Sequence, residues 1–164
     1  MILTKRGEKI SISNIELMIS KFIFYVIDEN IPHIWFATEE PFLNQYNGNI
    51  SYDYSGNVKI MTEADLKDIK DISPSLESFL EEIYIDQWKP TYNSNYGKVW
   101  TNYKDLLQEY FDEWKYNNFD LYDEDGNELN EELEDNLDKI YYKFLEKKSF
   151  DIYYRKILDD IKSQ

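Results

Sequence analysis

The sequence predicts an α+β protein: a small antiparallel β-meander in the N-terminal half, then a mainly helical, strongly acidic C-terminal half. Three observations predict this. Short β-branched and aromatic runs between residues 33 and 61 are punctuated by Asn47-Gly48 and Ser55-Gly56-Asn57, residue types that tolerate the positive φ of tight hairpins. From Thr101 onward apolar residues recur at the helical period. Between Asp105 and Asp138 fourteen acidic residues face a single base, Lys115, in a chain of net charge −15. The other 130 residues hold 19 acids and 17 bases, so one segment carries nearly all the excess charge.

A chain of 164 residues, 42% apolar and 17% aromatic, has the size of one domain (1–164) and the side chains to bury a core despite its charge. Ser13-Asn14-Ile15-Glu16 reads as a capping box that opens a helix. From Leu17 to Ile27 that element is apolar on almost every side, as a central buried helix would be, although Phe22 to Ile27 also suits a buried strand. After Pro32, the runs His33 to Thr38, Ile50 to Tyr54 and Val58 to Met61 supply the meander, with Ile50, Tyr52 and Tyr54 on one face.

Helical spacing resumes at Ala64 to Ile69. It continues past Ser73-Pro74 in a stripe of Leu76, Phe79, Leu80, Ile83 and Trp88. PTYNSNYG, residues 90–97, is loop chemistry and a candidate internal hinge. A helix capped by Thr101 or Asn102 follows, with Tyr103, Leu106, Leu107, Tyr110, Phe111 and Trp114 inward. Phe119 to Leu129 reads as two short strands joined at Asp125-Gly126. A second acidic helix buries Leu133, Leu137, Ile140, Tyr141 and Phe144, and a last one after Ser149 buries Tyr153, Ile157 and Ile161.

Several function classes are disfavoured. With no cysteine, disulfides and thiolate metal sites are excluded, which suits an intracellular protein. The N-terminus lacks the apolar stretch of a signal peptide, and no run is long enough to span a bilayer, so a cytoplasmic location is expected. The net negative charge opposes direct binding to nucleic acid or to an anionic membrane. His33 stands beside Pro32 with no triad pattern around it, Glu146-Lys147-Lys148 matches a nuclease-like Glu-x-Lys without a preceding strand Asp, and no phosphate-binding glycine loop exists among five glycines. Asp123, Asp125, Gly126 and Glu132 align with an EF-hand loop, but Leu121 falls where its first carboxylate belongs. No cofactor or metal and no catalytic residue is assigned; a metal-dependent or hydrolytic enzyme with an acidic site is the rival class.

The acidic segment points to a partner. On a helical wheel Asp105, Glu109 and Asp112 form one carboxylate row opposite the apolar stripe, and Glu131, Asp135 and Asp138 form a second. Each row spaces three like charges over about 10 Å of axis. A soluble face normally mixes signs, because like charges at i, i+4 are destabilising. The expected partner-binding residues are Asp105, Glu109, Asp112, Glu113, Tyr116, Asp120, Tyr122, Asp123, Glu124, Asp125, Glu128, Glu131, Glu134, Asp135 and Asp138. Ordered carboxylate rows can stand in for phosphates, since arginine engages both in the same bidentate geometry. In this character the segment resembles phage DNA mimics that block restriction enzymes or CRISPR effectors, and acidic immunity proteins that neutralise nuclease toxins. The resemblance implies an inhibitor whose partner is a basic nucleic-acid-binding protein: a CRISPR effector, a restriction enzyme or a nuclease toxin. Abundant Ile, Lys, Asn and Tyr suggest an AT-rich genome, as of a low-GC bacterium or its phage.

Overall fold

The structure, a computed structural model, describes residues 2–30, 35–37, 42–46, 49–53, 58–73, 75–88 and 98–163. His33, Tyr54, the two turns at 47–48 and 55–57, Pro32, Pro74 and the 90–97 loop lie outside the described residues, as do the side chains of Ile50 and Tyr52. The fold is α+β, as expected, with antiparallel strands and six described helices.

A two-stranded ribbon, β1 (Ile2–Leu3) and β2 (Lys9–Ile10), leads into helix α1 (Ile12–Asn30). The Asn14 N–H donates to Ser11 Oγ at 3.1 Å, so the helix begins earlier than the Ser13 box predicts. The run Phe22 to Ile27 is helical. Ile15, Ile19, Ile23, Val26 and Ile27 form its buried stripe, each worth about 1.5–3 kcal/mol by transfer from water. The expectation of burial all round is corrected: Leu17 and Tyr25 are exposed.

Next come β3 (Trp35–Ala37), β4 (Phe42–Tyr46), β5 (Asn49–Asp53) and β6 (Val58–Ile60). They do not form the expected meander. β4 and β5 pair with each other as a separate hairpin, while β3 skips over them to pair with β6. Helix α2 (Glu63–Ile72) opens with a capping box in which Thr62 and Asp65 exchange hydrogen bonds. The predicted longer helix ends early: α3 (Leu76–Glu82) stops where β7 (Ile83–Trp88) begins, so Ile83 and Trp88 are strand residues. β8 (Lys98–Asn102) pairs with β7. The larger sheet thus has the order β6-β3-β7-β8, all antiparallel. Pairing with strands distant in sequence overrides the local helical spacing of this stretch.

β8 runs directly into α4 (Tyr103–Asn118), with Asn102 serving as last strand residue and N-cap; its Oδ1 accepts from the Asp105 N–H at 2.7 Å. Helices α5 (Glu131–Lys147) and α6 (Asp151–Lys162) complete the chain. α1 packs against both α4 and α5. Between the latter, Phe111 and Tyr141 stack with centroids 4.6 Å apart, and Phe79 of α3 stacks on Phe150 at the start of α6, at 4.1 Å. α4 and α5 are therefore held from behind by one contiguous core.

Candidate partner-binding surface

Helix α4 buries Tyr103, Leu107 and Phe111 at four-residue intervals, and the next residue in that series is Lys115. The only base between Asp105 and Asp138 is thus inside the protein, 2% exposed. Its Nζ donates to Asp138 Oδ1 of α5 at 2.7 Å and lies 3.2 Å from Asp112 Oδ1 and 3.4 Å from Glu134 Oε1. The Phe111 and Tyr116 rings flank it, each 5.6 Å from Nζ. Burial alone would lower its pKa. The Asp138 hydrogen bond and the charges of Asp138 and Asp112 outweigh burial and hold it above the ordinary lysine value.

The fourteen carboxylates thereby divide into two groups. Asp112, Glu134 and Asp138, the three that surround Lys115, are half-buried. The other eleven, Asp105, Glu109, Glu113, Asp120, Asp123, Glu124, Asp125, Glu128, Glu131, Glu132 and Asp135, are exposed. The helical wheel puts Asp112 and Asp138 outward with their rows; instead they lean into the seam between α4 and α5, drawn by the buried cation. The two rows meet there.

Residues Phe119 to Leu129 are not two strands. A single bridge joins Tyr122 to Glu128, and the loop is held by Leu129 N–H to Leu121 O at 2.8 Å and Asp123 N–H to Asn127 O at 2.9 Å. Gly126 takes φ +83°, the left-handed region that closes the turn. Asp123 Oδ1 accepts from the N–H groups of Asn127 and Asp125 at 2.8 and 2.9 Å. These bonds, that of Asn127 foremost, hold the Asp123 carboxyl below its ordinary pKa. Asp123 is thus committed to the turn rather than to an EF-hand geometry, and among the described residues no group of three or more Asp, Glu or His side chains is gathered closely enough for a metal ion. Phe119 and Leu121 are buried and anchor the loop, leaving Asp120, Glu124, Asp125 and Glu128 outside.

Tyr116 and Tyr122 pack edge to face at 5.6 Å, and the Tyr122 hydroxyl donates to Glu134 Oε2 at 2.9 Å. That bond and the Glu134 charge push the Tyr122 hydroxyl up to about 12. Like-charge crowding is visible at Glu128, an exposed carboxyl whose pKa is raised by the slight desolvation its neighbours impose and then by the charges of Glu131, Glu134 and Asp135.

Helix α5 changes sign along its length. Its first two turns carry Glu131, Glu132, Glu134, Asp135 and Asp138; its second half carries Lys139, Lys143 and Lys147, which with Lys148 border a cleft over Ile140 and Phe144. Acids at the positive end and lysines at the negative end both complement the helix dipole.

The site residues expected from sequence lie on α4, on the 119–129 loop and at the start of α5, and the structure brings Asp112, Glu134 and Asp138 of that set together around Lys115. Sequence reasoning missed the role of Lys115, although its four-residue spacing from Phe111 marked it as inward-facing. No helix among the described residues is long and apolar enough to cross a membrane. Comparison of the chain with protein-family profiles, with curated proteins and with solved structures finds no match in any of the three.

Proposed function

We propose that the protein is an inhibitor that binds a basic, nucleic-acid-handling protein in a bacterial cytoplasm by presenting the 105–138 surface in place of nucleic-acid phosphates. The observation that carries this reading is the burial of Lys115: the only cation of the segment is withdrawn, so eleven exposed carboxylates stand on ordered backbone with no base of the segment among them. Isolated DNA presents one negative charge per about 1.7 Å of axis, and proteins that bind it carry lysine and arginine arrays matched to phosphate. A fixed carboxylate array can occupy such an array without ordering on binding, and long-range attraction makes the encounter fast. Counter-defence against a CRISPR effector or restriction enzyme is the first setting; a cognate immunity role against a nuclease toxin uses the same physics.

The test is capture of a partner from bacterial lysate on the immobilised protein, with elution by salt and by DNA. Charge reversal is confined to Glu124, Glu128, Glu131 and Asp135, which are exposed, rather than to the Lys115 partners. The expected partner is basic, displaced by DNA and lost from the quadruple lysine variant, which melts as a folded protein. Retention indifferent to salt, DNA and charge reversal overturns the reading.

A further inference from the structure

Helices α1 and α4 leave an open groove of about 630 Å³ floored by four aromatic rings, Phe22, Tyr25, Tyr110 and Trp114. The rings are ordered against one another: Tyr25 meets Tyr110 edge to face at 5.4 Å, and Phe22 stacks near-parallel to Tyr110 at 6.2 Å. Tyr25 is 50% exposed. A concave site of this size with an apolar floor has the dimensions of a side-chain or ligand pocket.

The chemistry around the rings favours a cation. The Tyr110 hydroxyl donates to Glu29 Oε2 at 2.7 Å, which leaves electron density on the ring that faces the groove. Glu113 and Asn117 supply acceptor oxygens along the α4 wall, and Glu113 belongs to the exposed acidic surface. Lys21 stands at the rim, yet among the described residues no lysine or arginine nitrogen is stacked on any of the four rings. Guanidinium fits such a groove better than ammonium: it is flat, weakly hydrated and stacks on aromatic faces while its edge still donates hydrogen bonds.

We propose that this groove receives an arginine side chain of the basic partner, stacked on the half-exposed Tyr25 ring, with Tyr110, perpendicular to Tyr25, at its edge and its N–H groups directed to Glu113. This rests on the inhibitor reading above and adds to it a named anchor: charge attracts the partner, and the rings select arginine over lysine.

The probes are octa-arginine and octa-lysine, equal in charge, and a neutral peptide alternating Ser and Phe, titrated at low salt while the Trp114 indole N–H is followed by NMR. Octa-arginine is expected to bind about three- to fivefold more tightly than octa-lysine and to shift the Trp114 signal. Tyr25→Ala, and Tyr25→Leu which keeps apolar area, are expected to weaken octa-arginine more than octa-lysine and so bring the two affinities together. Equal binding of the two cationic peptides, or an arginine preference untouched by Tyr25→Ala, overturns the groove assignment and leaves the acidic-surface reading standing. Tighter binding of the Ser/Phe peptide makes the groove a site for an apolar anchor and also overturns it. If neither cationic peptide binds, the acidic-surface reading itself fails.

Discussion

Lys115 Nζ lies 2.7 Å from Asp138 Oδ1, and through that contact the only base of the acidic segment ties α4 to α5. Replacing it leaves Asp112, Glu134 and Asp138 crowded without a counter-charge. Lys115→Met is expected to lower stability by about 2–3 kcal/mol, less than the roughly 3–5 kcal/mol of a fully buried broken pair, because Asp112 and Asp138 keep part of their hydration. Asp138→Asn, which leaves two carboxylates on the lysine, should cost about 1 kcal/mol. Urea unfolding of the two variants checks the ranking; an equal loss would mean that Asp138 alone holds Lys115.

Stability should rise as the pH falls from neutral into the mildly acid range. Glu128 and Asp160 have folded pKa values raised above the ordinary 4.5 and 3.8, by slight desolvation at the exposed Glu128, by partial burial at Asp160, and by neighbouring carboxylates at both. The folded state therefore takes up those protons first, and acidification relieves a repulsion that is present at neutral pH. Asp123, lowered by the Asn127 N–H, and Asp151, lowered by its bond to Lys70, act in the opposite sense: their contribution is present above 3.8 and is lost as pH falls through their depressed folded values. The urea midpoint should accordingly pass through a maximum on the acid side of neutrality; a monotonic fall from neutral pH would contradict the assignment.

In alkali a subset of the 15 tyrosines should ionise late. Burial raises Tyr103 and Tyr141, burial and the Glu29 bond raise Tyr110, and Tyr122 is held at about 12 by Glu134. Because each folded value exceeds the unfolded one near 10, their contribution is complete below pH 10 and disappears as pH rises through the folded values. Lys115 acts in the same direction above 10.5. An ultraviolet titration should show a normal class and a class released only with unfolding, and Glu134→Gln should move one tyrosine back toward the normal class.

Gly126→Ala tests the acidic loop directly. A Cβ there would meet nothing within 4 Å, so the whole penalty is the backbone strain of φ +83° in a residue with a side chain. The expected loss is about 1 kcal/mol, with Gly126→Asn costing less. Amide exchange should accelerate at Asp123, Asn127 and Leu129 while α5 stays protected; a loss of protection throughout α5 would show that the turn also holds the helix.

What was legible in the sequence was whatever local chemistry decides. The Asn102 cap, the apolar series Tyr103, Leu107 and Phe111, and the Leu137, Tyr141 and Phe144 stripe all read correctly because each needs only its own helix. β7 did not, since Ile83 to Trp88 continues a helical spacing and becomes a strand only by pairing with β3 and β8. The skipped pairing of β3 with β6 is likewise non-local. At the candidate surface the composition located the segment, but not which carboxylates turn inward. Asp112 and Glu131 look alike on a wheel; only the arrival of Lys115 between two helices separates them.

The change of sign along α5 gives that helix a charge dipole within an anionic molecule. Five of the helix's six acids, all but Glu146, lie in the half next to the 119–129 loop, and its three lysines lie in the other half. A cationic surface approaching to within about a Debye length, roughly 8 Å at physiological salt, exerts a torque on such a body as well as a pull. Rotational search is then biased before any atom touches. Removing Lys139, Lys143 and Lys147 would leave every carboxylate in place and make the molecule more negative, yet would take away part of what turns it to face the right way.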